Sequence, residues 1–135
     1  MNRLVLDTHA WIWWLSSPNQ IPRKAKRALD RAVAAGEHLR VSAISVWELA
    51  MLVTRNRLEL AIPLEEWVSA AEAVPNLQYV PIDHRVALRS VALPNFPHRD
   101  PADRMIVATA VALGATLVTA DEKLHGYSIV PTVWT

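Results

Sequence analysis

The sequence predicts an α/β fold with a mostly parallel central sheet of about four or five strands flanked by helices. Three observations predict it. Short apolar runs alternate with segments of helical periodicity along the whole chain. Helix start and stop signals stand between those runs, as at Pro22 and Gly36 or Asp100-Pro101 and Gly114. No tandem repeat, linker or low-complexity tract interrupts the alternation, so one domain over residues 1–135 is expected.

Taken in order, Leu4-Val5-Leu6-Asp7 reads as a short buried strand, and Ala10 to Leu15 as a short helix broken by Pro18-Asn19. Pro22 to Ala35 is the next helix, with Pro22 in its first turn, Gly36 as its C-terminal cap, and Ala25, Ala28, Leu29, Ala32 and Val33 at helical spacing. Leu39 to Ile44 is the second strand. Ser45 to Thr54 is a helix opened by a Ser45-x-x-Glu48 capping pattern. Pro63 to Val74 is a helix with Glu65 and Glu66 in its first turn. Gln78 to Asp83 is the third strand, and His84 to Leu93 a helix. Residues 94–99 form a loop, because their prolines cannot continue a helix. Asp100-Pro101 opens a helix that runs to Leu113 and ends at Gly114. Thr116 to Ala120 is the fourth strand, and Tyr127 to Val133, carrying Pro131, an edge strand.

Composition excludes several classes. Hydrophobic residues make up 52% of the chain, enough for a real core, so disorder is not expected. No cysteine is present, which removes disulfides and cysteine-based zinc sites and suits a reducing cytoplasm. Asp7 and His9 interrupt any secretory apolar segment, and the apolar stretch Met105 to Ala120 is broken by Gly114 between Asp103 and Asp121, so no membrane role is expected. The formal net charge is only +1, so any nucleic-acid surface must be local. Arg23, Lys24, Lys26, Arg27 and Arg31 are its candidate, against the plainer reading of a solvated helix face.

The acids carry the chemistry. Asp7 closes the first strand and Asp121 the fourth, Glu48 lies in the first turn after the second strand, and Asp100 and Asp103 open the helix feeding the fourth. Helices antiparallel to the strands of a parallel sheet put their N-termini at the strands' carboxyl ends, where such sheets bind ligands. Carboxylates crowded there repel one another, and a hard cation, Mg²⁺ or Mn²⁺, relieves that conflict. Metal-assisted attack of water on a phosphodiester is the natural reaction. Each acid also has a structural reading. Glu48 and Asp103 fit helix-capping positions, worth roughly 1 kcal/mol per cap, and Asp7 and Asp121 fit strand-end turns. Asp83 also ends an expected strand and is read as the cap of the helix at His84, so strand ends alone do not select the site.

Four segments in order resemble the motifs of PIN-domain ribonucleases, most closely the VapC-like toxins of type II toxin–antitoxin systems. They are Leu4-Val5-Leu6-Asp7-Thr8-His9-Ala10, Val41 through Glu48-Leu49, His98-Arg99-Asp100-Pro101-Ala102-Asp103-Arg104 running on to Ala110, and Leu117-Val118-Thr119-Ala120-Asp121. The resemblance covers nearly the whole chain. It implies a PIN fold in which Asp7, Glu48 and Asp103 bind Mg²⁺ or Mn²⁺, with Asp121 as a fourth catalytic or metal-binding acid. It gives Asp100 a supporting role, and makes Thr8 and Thr119 the hydroxyls that orient acids or waters. It further implies cleavage of RNA to 5′-phosphate and 3′-hydroxyl ends, a homodimer, and inhibition by a cognate antitoxin.

Other residues are weighed beside these. Arg104 is a supporting candidate, touching a phosphate or pairing with a carboxylate. His98 is expected as an exposed loop histidine rather than a metal ligand. Trp11 and Trp14 share a helical face, which assigns one or both to the core, and Trp47 and Trp67 are expected to fill it. Trp13 is assigned to a dimer or antitoxin surface, and Trp134 to covering an edge. The alternatives are a receiver-like acidic pocket that is phosphorylated on aspartate, a PIN-like binding module, and a DNA or flap nuclease. The first wants adjacent acids after strand one, where Thr8-His9 stand. The second would lack acids that are present here. The third needs insertions for which this chain has no room.

Overall fold

The computed structural model describes residues 3–135. Among these, five parallel strands lie in one sheet: β1 (Leu4–Leu6), β2 (Leu39–Ser42), β3 (Leu77–Val80), β4 (Thr116–Val118) and β5 (Thr132–Val133). The helices are α1 (Thr8–Ser16), α2 (Arg23–Ala34), α3 (Ala43–Thr54), α4 (Leu64–Glu72), α5 (His84–Ala92), α6 (Pro101–Leu113) and α7 (Glu122–His125). The expected α/β class, with its parallel sheet, is what the chain forms.

The strand order is β3-β2-β1-β4-β5, so β1 is central. The chain builds outward from β1 to β3 on one side, then crosses back to build β4 and β5 on the other. The reversal falls between β1 and β4, where Leu6 pairs with Val118. Chains running away from each other on the two sides of that point leave a crevice at its carboxyl end. Asp7 stands there, its backbone N–H donating to the Val118 carbonyl at 3.0 Å.

Side chains of β1 alternate between two cores, as the pleat requires. Leu4 and Leu6 pack with residues of α1, α2 and α4. Val5 joins Val86 of α5, Ile106 and Val107 of α6 and Leu124 of α7. Trp11 is fully buried in the first core, meeting the Trp67 ring edge-on at 5.1 Å between centroids and Tyr79 at 5.8 Å. No helix among the described residues is long and apolar enough to cross a membrane.

Several boundaries differ from the sequence expectation, each for a local reason. The second strand stops at Ser42, not Ile44, because the Ser42 hydroxyl accepts from Ile44 N at 3.2 Å and starts α3 without a loop. Ser45 is therefore not a cap. The first helix begins at Thr8 because the Asp7 carboxylate accepts from Ala10 N at 2.9 Å. The third strand ends at Val80, before Pro81, and the last strand shrinks to two residues. Asp83 caps α5 as expected, accepting from Val86 N at 2.9 Å. Gly114 ends α6 in the left-handed conformation at φ +61°, and Asp100 opens it by accepting from Ala102 N at 2.8 Å.

Candidate active site

The carboxylates of Asp7, Glu48, Asp100, Asp103 and Asp121 line one cleft of about 490 Å³, with Thr8, His9, Trp13 and Ala120. Asp7 arrives as the N-cap of α1 and Asp121 as the N-cap of α7, where it accepts from Lys123 N at 2.9 Å. Glu48 comes from the second turn of α3, Asp100 and Asp103 from the first turn of α6. Asp83 stands outside the group. It follows β3, the edge strand two positions from β1, so the strand order selects what the strand-end rule alone left open.

Two tight sets of donors sit within the cleft. Ligand atoms of Glu48, Asp100 and Asp103 lie within 4.8 Å of one another, as do those of His98, Asp103 and Asp121. Asp103 belongs to both. Asp7 stands outside both sets while lining the same cleft, held by its cap to Ala10. Thr119 Oγ1, buried at the end of β4, accepts from Asp121 N at 3.0 Å. Below it, His125 Nε2 lies 2.7 Å from the Thr119 carbonyl, to which it must donate. Nδ1 then accepts from the Thr132 hydroxyl at 2.7 Å.

Thr8 performs the same service for Glu48. Its buried hydroxyl lies 2.9 Å from Ser45 Oγ and in contact with Glu48 Oε1. Glu48 is thus positioned by a side chain from α1 and serves no cap of its own, which corrects the capping-box reading.

The electrostatics follow from this crowding. Burial pushes the Asp7 carboxyl up, against the pull of Thr119 and Ala10. Burial also raises Glu48, and the charge of Asp100 adds to it. Asp103 is raised to about 7, first by burial and then by repulsion from Asp100 and Glu48. A site that holds carboxylates against their own repulsion fits a divalent cation. The donors are carboxylate oxygens with one imidazole, the set a hard or borderline ion takes.

Three assignments made from sequence change here. His98 is not an exposed loop histidine. It is half-buried, with Nε2 2.6 Å from Asp121 Oδ2 and 3.9 Å from Asp103 Oδ2. The loop carrying it is folded down by Phe96, which packs edge-on against Tyr127 at 5.4 Å, and by the Tyr127 hydroxyl donating to Pro94 O at 2.7 Å. The only sequence signal was its place two residues before the cap Asp100. Arg104 points away from the carboxylates. It donates to Ser90 O at 3.0 Å and lies 5.0 Å over the Phe96 ring, whose edge meets His98. Among the tryptophans, Trp67 is buried as expected, whereas Trp47 is 55% exposed and not part of the core. Trp134 packs at the edge against Trp13, 5.8 Å between centroids.

Comparison with known proteins decides the family. The PIN domain family model matches residues 4–129. The chain belongs to the PIN-domain family. This PIN domain is 38% identical to ribonuclease VapC22 of Mycobacterium tuberculosis, an alignment covering 99% of this chain and all of that protein. Solved structures share the fold. VapBC2 of Rickettsia felis, bound to a DNA fragment from its promoter, superposes with a TM-score of 0.71 at 16% identity, over 98% of both chains. DNA-bound VapBC of Salmonella typhimurium gives 0.68 at 19% identity, also over 98% of both.

Proposed function

We propose that this PIN domain is a metal-dependent endoribonuclease, the toxin of a toxin–antitoxin pair, working in the cytoplasm with Mg²⁺ or Mn²⁺. The observation that carries the reading is the meeting of five carboxylates, drawn from separate segments, in one cleft at the switch point of the sheet. The likeness to ribonuclease VapC22 over nearly the full chain supports RNA as substrate, and the VapBC complexes among its structural relatives support an antitoxin partner.

A divalent ion held there would polarise the scissile phosphate and ready water for in-line attack. Asp103, shared by both donor sets, would hold the ion together with Glu48 and Asp121, and Asp7 lines the same cleft from the end of β1. Thr8 keeps the Glu48 oxygen aimed inward, and Thr119 fixes the Asp121 backbone by accepting from its N–H. Asp100 lends charge while capping α6. Hydrolysis adds the water oxygen to phosphorus and passes a proton to the departing 3′ oxygen, leaving 5′-phosphate and 3′-hydroxyl ends. The exposed face of α2, with Arg23, Lys24, Lys26 and Arg27, is the surface that would track the RNA backbone. A homodimer belongs to the same reading, and the exposed Trp47, Leu88 and Val91, at 55%, 70% and 81%, are apolar residues that a second copy could cover.

Incubation of purified protein with RNA and Mg²⁺, followed by sequencing of the new ends, tests the proposal. Cleavage with 5′-phosphate ends, stopped by EDTA and absent in Asp7→Asn, is the expected result. Equal cleavage with EDTA, or by Asp7→Asn, would overturn it.

A further inference from the structure

The sequence assigned Trp13 to a dimer or antitoxin surface, and the fold sets it beside the acids. Its indole lines the same cleft as Asp7, Glu48, Asp103 and Asp121. Asp7 begins α1 as its cap, so the helix that carries Trp13 grows directly out of the acidic centre. Trp13 is only half-buried, whereas Trp11, two residues earlier on α1, is fully buried in the first core. The ring is not free to swing. Trp134 stands against it with 5.8 Å between centroids, and His9, one turn earlier, at 5.6 Å. Trp134 is itself fixed by its carbonyl, which accepts from Ala25 N of α2 at 3.1 Å. A braced indole with an open side, in a cleft otherwise walled by carboxylates, has one evident use in a site that handles RNA. The acids, with their cation, can take a phosphate, but they repel the rest of a polyanion. A flat aromatic surface attracts a base without regard to charge, and every base has such a face.

We propose that Trp13 is a base-stacking residue that holds the base of a nucleotide adjoining the scissile phosphate. The base must leave any helix to lie on the indole, so the substrate is RNA unpaired at the cut. This inference rests on the RNA-cleavage reading above and deepens it. It makes Trp13 a positioning residue, since it touches substrate without sharing in the bond exchange.

The test compares the parent, Trp13→Ala and Trp13→Phe on a short single-stranded RNA spanning a mapped cleavage site. It adds the same RNA with abasic nucleotides flanking the cut, and the RNA annealed to its complement. Trp13→Ala should lower kcat/KM about tenfold or more, the range that loss of one base–aromatic stack produces, and Trp13→Phe should recover most of it. On the abasic RNA the parent should fall to the level of Trp13→Ala, and the substitution should have no further effect there. The annealed RNA should be a poor substrate for all three. Mn²⁺ affinity and the thermal midpoint should stay near the parent's in Trp13→Phe. If Trp13→Ala cuts intact RNA at the parent rate, the inference is overturned while the nuclease stands. An equal loss on abasic and intact RNA overturns it too, by showing a purely structural role. Unchanged cleavage with loss of self-association or antitoxin binding would reassign Trp13 to a protein contact. Should Trp13→Ala fail to fold, the parent and Trp13→Phe on the abasic RNA still decide. A parent that cleaves no RNA refutes the underlying reading instead.

Discussion

Asp7 serves two roles with one side chain: its Oδ1 caps α1 at Ala10 N, and the carboxylate faces the cleft. Asparagine caps a helix about as well as aspartate, so the two roles separate experimentally. Asp7→Asn should unfold within about 1 kcal/mol of the parent while RNA cleavage falls at least a hundredfold, on the order expected for removing a principal electrostatic group. Asp7→Ala should lose cleavage and also about 1 kcal/mol of stability with the cap. Parallel urea titrations and cleavage assays check both. The acids were legible in the sequence because strand ends and helix starts are local features. His98 was not. Its approach to Asp121 depends on Phe96 meeting Tyr127, a contact between segments far apart in the chain that no local pattern announces. The direction of Arg104 was hidden for the same reason, since Ser90 and Phe96 claim it from other elements.

At the scale of the element, the start of α3 shows where local reading fails. Ser45-x-x-Glu48 has the form of a capping box, but β2 passes straight into the helix and Ser42 takes the cap. The two serines therefore differ in a measurable way. Ser42→Ala should cost about 1 kcal/mol as a lost cap. Glu48→Gln should cost little stability, because that carboxylate caps nothing, yet should impair cleavage. A Glu48→Gln protein destabilised as much as Ser42→Ala would restore the capping-box reading. Trp47 was misread on the same helix. Ser45 and Leu49 face inward, and Trp47, midway between them, is turned out to solvent. The end of α6 was legible, because Gly114 at φ +61° is a conformation glycine alone adopts freely. Gly114→Ala should cost roughly 1–2 kcal/mol without altering cleavage, as nothing there faces the cleft.

For the whole molecule, the order β3-β2-β1-β4-β5 is what turns five scattered acids into a site, and it was the least legible feature. Alternating strands and helices announced a parallel sheet but not which strand lies in the middle. With β1 central, the ends of β1 and β4 meet over the crevice, and Asp83 after the edge strand is left out. The gathered charge has a thermodynamic consequence. Asp103 holds its proton to about 7 in the fold against 3.8 unfolded, so the folded state binds more protons between those values. Without metal, its contribution to stability is present below about pH 4 and lost as pH rises through about 7. The EDTA-treated protein should therefore melt lower at pH 8 than at pH 5.5. Asp103→Asn should lose much of that slope and melt above the parent at pH 8, by about 3–5 °C for each kcal/mol relieved. Mg²⁺ should raise the parent's midpoint at pH 8 by mass action and leave the variant's nearly unmoved. The basic face of α2 adds a separate test: Lys26→Ala with Arg27→Ala should lower the dependence of log affinity on log salt by about two phosphate contacts.

Everything in the functional account depends on a divalent ion among these oxygens, with Asp103 at their centre. Calorimetric titration of Mn²⁺ into the metal-free parent and Asp103→Asn at pH 7, in buffers of differing ionisation enthalpy, measures this directly. Saturable binding by the parent with release of protons is expected, with affinity at least tenfold weaker and little proton release in the variant. Equal affinity in the two proteins, or no binding by the parent, would contradict it.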